Sequence, residues 1–267
     1  ASTSMSPAPA IVPPPPPPSS TPEATRTLGE ELRHFVKSAQ REGIRIITTL
    51  EEGDPVRTIL EHAEREAVDL LVMGTHGRTG FERLFLGSIA EKVLRKTRCP
   101  VLTVRADALA PAVPRRVLCP IDFSESSRNA LRWAFTLASM ARAPLLVLNV
   151  VEILSAPPPV AVFGAAEQIE LGQTRAREAL DEILDESSGG GLAVPRPTDV
   201  ERTVVRGKPS REIVRVAESH HADLIVMGVH GHGAIDRLLF GSTTHHVVRE
   251  APCPVLSVRQ PPAARPS

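Results

Sequence analysis

The sequence predicts an α/β fold, a doubly wound parallel five-stranded sheet, present in two tandem copies of which the first is incomplete. Three observations carry this. The 267-residue chain repeats itself at an offset of 154 residues. Short apolar runs alternate with amphipathic stretches through the second copy. The apolar runs are continuous rather than alternating with polar residues, as in strands covered on both faces.

The repeat is clearest between Asp69–Arg105 and Asp223–Arg259, where 19 of 37 positions are identical without a gap. It extends upstream: Gly53, Pro55, Arg57 and Ile59 match Gly207, Pro209, Arg211 and Ile213. Copy two is complete. Arg116–Ile121 reads as a buried strand, and Ser124 as the N-cap of a helix with Glu125 in its first turn. Ala130, Ala134, Leu137, Ala138 and Ala141 fall on one face of that helix. Leu145–Val151 is a second strand, Gln168–Glu186 a helix stopped before Gly189, and Val200–Val205 a third strand. A helix over Ser210–His220, a strand over Asp223–Met227, a helix over Ser242–Arg249 and a strand over Val255–Val258 complete it.

Copy one has no counterpart to the first strand, first helix and second strand. Its first recognisable helix is Glu23–Glu42; before it, Ala1–Pro22 holds nine of the 26 prolines, six of them consecutive at Pro13–Pro18. That stretch cannot be a central strand, because proline donates no ladder hydrogen bond. It resembles the loop at Pro157–Pro159, so the sequence reads as starting inside copy one; a Pro-rich tail in polyproline conformation is the alternative. Asp54 and Pro55 then make a helix start, N-cap and N1. The expected organisation is a Pro-rich segment at 1–27, a partial domain at 28–105, a linker at 106–114, a complete domain at 115–260 and a tail at 261–267.

Composition narrows the function. With 42% hydrophobic and 23% charged residues, most of the chain can bury a core. Lys and Arg number 31, as do Asp and Glu, which argues against a polyanion-binding surface. Aromatics are 3%, with no Tyr and only Trp133, so stacking platforms for nucleic acid are not expected. No apolar run reaches the ~18 residues of a membrane helix. Three cysteines make no complete disulfide framework, and no apolar h-region follows Ala1, so a cytoplasmic location is expected.

After the fourth strand of copy two come Gly228-Val-His230-Gly231, nine residues, and Gly241-Ser242; copy one has Gly74, Gly77 and Gly87-Ser88 at the same spacing. Glycines just past a strand let the backbone turn and approach a ligand closely. Gly241-Ser242 opens a helix, where free N–H groups and the dipole favour phosphate. The carboxyl edge of an open α/β sheet is also where ligands bind. The spacing fits neither a Walker A loop nor the dinucleotide fingerprint.

This Gly-x2-Gly-x9-Gly-Ser motif after a strand ending Val-Met, the Cys-Pro-Val-Leu before the last strand, and Cys119-Pro120-Ile121-Asp122-Phe123-Ser124 together resemble the universal stress protein family of UspA type. The resemblance implies a flavodoxin-like, Rossmann-like domain and, where the glycine motif is present, ATP binding with Mg²⁺ or Mn²⁺ on the phosphates. By that resemblance Asp122, with Pro120 and Ile121 before it, contacts the adenosine part. Val150 offers backbone groups to the adenine edge, and Met227 and Gly228 line the ribose. His230, Gly231 and His232, with Gly241, Ser242, Thr243 and Thr244 at the helix start, meet the phosphates. His232 stands where Lys or Arg is expected, which makes phosphate affinity depend on pH. Arg78 fills that place in copy one, but the counterparts of Asp122 and Val150 are missing there, so nucleotide is expected in copy two alone.

Other features read more plainly. Six histidines (His220, His221, His230, His232, His245 and His246) invite a zinc site, but a helix terminus and exposed pairs explain them more simply. Cys99, Cys119 and Cys253 read as small core residues. Ser124 near Asp122 reads as a cap, since no base is positioned to activate it. A ligand-dependent or dimer-dependent switch is therefore the leading function, with a slow ATP hydrolase or a pure interaction module as rivals. The apolar last strands, Leu102–Val104 and Val255–Val258, are expected to pair within the chain or between two chains, as the family resemblance also implies.

Overall fold

The computed structural model describes residues 22–40, 44–75, 86–105, 111, 113–152, 165–189, 197, 199–229 and 241–259. The chain divides into two units, Ala1–Gly53 and Asp54–Ser267. In the first, α1 (Pro22–Gln40) is the expected first helix of copy one. Residues 44–52, which align with the third strand of copy two, form no strand. Ile44, Ile47 and Leu50 stand exposed there.

In the second unit, copy one supplies α2 (Pro55–Arg65), β1 (Leu71–Gly74), α3 (Ser88–Lys96) and β2 (Val101–Val104). Copy two supplies β3 (Val117–Ile121), α4 (Glu125–Ala141), β4 (Leu145–Val151), α5 (Ala165–Gly189) and β5 (Val200–Arg206). It continues with α6 (Pro209–Ser219), β6 (Leu224–Gly228), α7 (Ser242–Glu250) and β7 (Val255–Val258). All seven strands join one sheet in the order β1-β2-β7-β6-β3-β4-β5. The five strands of copy two are mutually parallel, as predicted.

Local chemistry accounts for the element ends. Asp54 caps α2 by accepting from the Arg57 N–H at 2.8 Å, with Pro55 at the first position. Ser124 caps α4 by accepting from the Ser127 N–H, and Arg142 ends that helix in the left-handed region at φ 53°. Gly53 and Gly207, equivalent in the repeat, both precede a helix at positive φ, 140° and 147°.

Strand alternation sorts the core onto two faces. Val117, Cys119 and Ile121 pack with α4 and with Leu180 and Ile183 of α5. Leu118 of β3 points the other way, into a cluster with Ile213 and Val216 of α6 and Val247 and Val248 of α7. Leu86, Ala90, Leu94 and Val101 of copy one belong to that same second cluster.

The copies meet through their last strands, within the chain. β2 and β7 run antiparallel with Val101 opposite Ser257, Leu102 opposite Leu256 and Thr103 opposite Val255. Under the 154-residue offset Val101 maps to Val255 and Ser257 to Thr103, so exchanging the copies returns the same register. Leu102 and Leu256, equivalent residues, face each other on this internal two-fold axis.

The symmetry ends one strand further out. β6 is flanked by β3 and β7, whereas β1 pairs only with β2 among the described residues. Leu224 and Val226 of β6 are 6% and 0% exposed; their equivalents Leu70 and Val72 are 40% and 59% exposed. The same side chains therefore contribute to burial in one copy only. Val226→Thr, which buries a hydroxyl, is expected to lower stability by about 1–3 kcal/mol. Val72→Thr is expected to stay within about 0.5 kcal/mol. Urea unfolding of both variants measures the difference.

Candidate functional site

A parallel sheet brings the ends of its strands, and the starts of the following helices, to one edge. In copy two this edge forms a cleft of about 470 Å³. Ten of the residues singled out in the sequence line it: Pro120 and Ile121 at the end of β3, with Asp122 just after it; Val150 near the end of β4; Met227 and Gly228 at the end of β6; and Gly241, Ser242, Thr243 and Thr244 at the start of α7. His230, Gly231 and His232 lie outside the described residues.

One wall is built from the turn between β3 and α4. Asp122 Oδ1 accepts from the backbone N–H of Ser124 at 3.1 Å and from its hydroxyl at 2.6 Å. Ser124 Oγ in turn accepts from the Ser127 N–H at 3.2 Å. The carboxylate is thereby fixed at a helix N-terminus, where its charge is favoured. Ser124 is thus a cap and an orienter of Asp122, as the cap reading required. Gly228 lets α4 come close: a Cβ there would lie 2.8 Å from Ser126 and Ser127 backbone atoms. The Asn149 side-chain amide donates to the Ile121 carbonyl at 2.8 Å and holds β4 to the end of β3.

The opposite wall is the start of α7. Gly241 is its N-cap and makes no side-chain cap bond. The Gly241 N–H donates to the Val229 carbonyl at 3.2 Å. The Thr244 hydroxyl reaches the carbonyls of Gly228 at 3.1 Å and Val229 at 3.4 Å. A Cβ at Gly241 would lie 3.1 Å from the Val229 oxygen, so glycine permits this close return of the backbone. No acidic residue stands in the first turn of α7. Among the described residues the two walls therefore differ in charge: a fixed carboxylate on one, helix N-terminal amides with Ser242 and Thr243 on the other.

Sequence reasoning missed Ser127, Leu148, Glu152, Pro209 and Ile213, which also line the cleft. Pro209, at the start of α6 next to a strand's carboxyl end, was legible from topology. Glu152 follows directly on β4 and carried no motif.

Copy one repeats the turn before its last helix only. Its Gly87 N–H donates to the Thr75 carbonyl at 2.8 Å, as Gly241 does to Val229. The places of Thr243 and Thr244 are taken by Ile89 and Ala90, which carry no hydroxyl. Among the described residues nothing stands where copy two has β3 and β4.

His220 contacts Ser219 and the Val216 carbonyl, and His246 lies 3.0 Å from Glu250. No group of three ligating side chains occurs among the described residues. No described helix is long and apolar enough to cross a membrane.

Two copies of one α/β unit joined about a β-strand dyad, with a glycine-lined cleft at the carboxyl edge of the second, define a tandem α/β protein. The sequence model described as "Universal stress protein family" matches residues 4–105 and 114–259. The chain belongs to the universal stress protein family. It is 30% identical over 211 residues to universal stress protein Rv2005c of Mycobacterium tuberculosis, a match covering 77% of this chain and 66% of that one. It is 47% identical over 76 residues to universal stress protein MJ0531 of Methanocaldococcus jannaschii, covering 28% and 45%. The chain thus spans less than two thirds of the length of either relative. Among solved structures, a universal stress protein from Archaeoglobus fulgidus superposes with a TM-score of 0.66 at 25% identity, over 89% of this chain and 80% of that one.

The thiols do not belong to the cleft. Cys119 is fully buried in β3, and burial pushes its pKa far up. Burial and the nearby Asp223 carboxylate push Cys253 from 9.0 to about 12. Both thiols stay protonated in the folded chain. The associated stability is present below pH 9 and is lost as the pH rises towards the folded values. Cys99 is only half-buried and sits 3.2 Å from the Thr97 hydroxyl. At pH 8 a thiol reagent is expected to modify Cys99 alone in the folded chain and all three after unfolding. Mass spectrometry of the labelled protein reads the outcome.

Proposed function

We propose that copy two binds an adenine nucleotide, ATP, and that occupancy rather than turnover is its function in a stress response. The observation that carries this reading is the opposite character of the two walls. Asp122, an acceptor, suits the hydroxyls of a ribose. The start of α7, with helix N-terminal N–H groups, three lining hydroxyl residues and no acid in its first turn, suits phosphates. Val150 and Leu148 offer the apolar surface a base requires. The family resemblance of the motif favours the same orientation. A divalent cation, magnesium or manganese, would ride on the phosphates. The ligand would bridge α4 and α7, so its binding biases the loops and helices that hold those walls.

Ser242 gives a test that separates ligand from fold. It is exposed at the first position of α7, where an acidic side chain favours the helix by about 0.3–1 kcal/mol. Ser242→Glu is expected to keep or raise the melting temperature and to weaken ATP binding by about tenfold or more through charge repulsion. Adenosine, which lacks phosphate, is expected to bind both proteins alike. Calorimetric titration checks this; equal ATP affinity in the variant contradicts the assignment of the phosphate end.

A further inference from the structure

The helix whose start lines the cleft is held by copy one at its other end. α7 is nine residues long, about 13 Å at 1.5 Å per residue. Arg105, the residue after β2, donates from Nη1 to the carbonyls of Arg249 and Ala251, at 3.1 and 3.4 Å. These carbonyls belong to the last turn and C-cap of α7, groups that no intrahelical N–H satisfies. Near the start of the helix, the Nε2 of His245 lies 3.9 Å from Glu91 Oε2 of α3. His245 directly follows Thr244, which lines the cleft. Copy one therefore caps the end of α7 through Arg105 and places Glu91 beside its fourth residue.

The cap has a mirror image. Arg259, the equivalent of Arg105 in the repeat, donates from Nη2 to the carbonyls of Leu94 and Arg95 at the end of α3. Each copy thus caps the last helix of the other. The two caps are alike in chemistry but not in what their helix serves. α7 forms the phosphate wall of a complete cleft; α3 starts at a turn that has no opposite wall among the described residues.

We infer that Arg105 is a positioning residue for the phosphate end of the copy-two cleft. Copy one is a backing element that sets how firmly that cleft holds a phosphorylated ligand. The guanidinium neutralises the negative end of the α7 dipole and fixes the helix against sliding along its axis. Losing it frees the amides of Ser242, Thr243 and Thr244 to drift from the strand ends, where displacements below an ångström weaken convergent hydrogen bonds. The adenosine-facing wall is built by β3, β4 and α4, whereas these Arg105 bonds go to the end of α7. The inference rests on the proposed nucleotide site, and the two can fail separately.

The test compares the whole chain with Arg105→Ala, Arg105→Lys and Arg259→Ala, titrated with magnesium-ATP and with adenosine, folding being followed by circular dichroism. Arg105→Ala is expected to weaken ATP binding by about fivefold or more, with adenosine affinity unchanged. Arg105→Lys restores part of the loss, since an ammonium caps carbonyls without the guanidinium fork. Arg259→Ala removes the corresponding cap from α3 and leaves ATP affinity unchanged. If Arg105→Ala does not fold, Arg105→Lys serves alone, with weaker ATP binding expected and unchanged binding overturning the inference. Unaltered ATP affinity in Arg105→Ala overturns it, as does an equal loss in Arg259→Ala or a parallel loss for adenosine. A wild-type chain that binds no ATP overturns the nucleotide reading and this inference with it.

Discussion

The antiparallel pairing of β2 with β7 is the constraint on which the rest of the second unit depends. Copy one brings two strands and two helices to it, too little to enclose a core alone. Pairing across the dyad extends the copy-two sheet and lets Leu86, Ala90, Leu94 and Val101 join the cluster beneath α6 and α7. A buried Leu256 facing its own equivalent, Leu102, removes two apolar strand edges at once. The reciprocal arginine caps follow from the same axis: once the strands are in register, the residue after each reaches the helix end of the other copy.

Function follows from where the dyad places α7. In a parallel sheet the helix starts gather at the carboxyl edge, and α4, α6 and α7 all open towards the cleft of copy two. Two glycines make the cleft narrow. Gly228 admits the backbone of Ser126 and Ser127, and Gly241 admits the return to Val229. The Asp122–Ser124 pair then gives one wall its charge, while the first turn of α7 on the other carries no acid. Copy one keeps the turn at Gly87 without the strands β3 and β4 that complete the copy-two cleft, so among the described residues duplication yields one such cleft.

Much of this was legible in the sequence. The repeat and the continuous apolar runs predicted the parallel sheet, because period and burial are local properties of a strand. Asp54 and Ser124 were readable as caps, because the cap bond spans only three residues. Gly228, Gly241 and Ser242 were found by their place at a strand end and a helix start, and the other seven cleft residues through the family resemblance. The lining by Glu152 and Ile213 was not legible, since it depends on how α6 tilts against β4. Nor were the arginine caps. Arg105 and Arg259 close the repeat in sequence, but their partners lie more than 140 residues away along the chain, and the strand register creates the contact. The bare face at Val72 was predictable only as a missing neighbour, since its own sequence is that of a buried strand.

The most direct measurement is the amount of nucleotide the chain holds. The purified protein is denatured, any released nucleotide is identified by mass spectrometry, and ATP is titrated back with and without magnesium. The account predicts close to one ATP per chain, bound in copy two, with no appreciable release of ADP over the titration. No nucleotide and no heat, or two equal sites per chain, would contradict it.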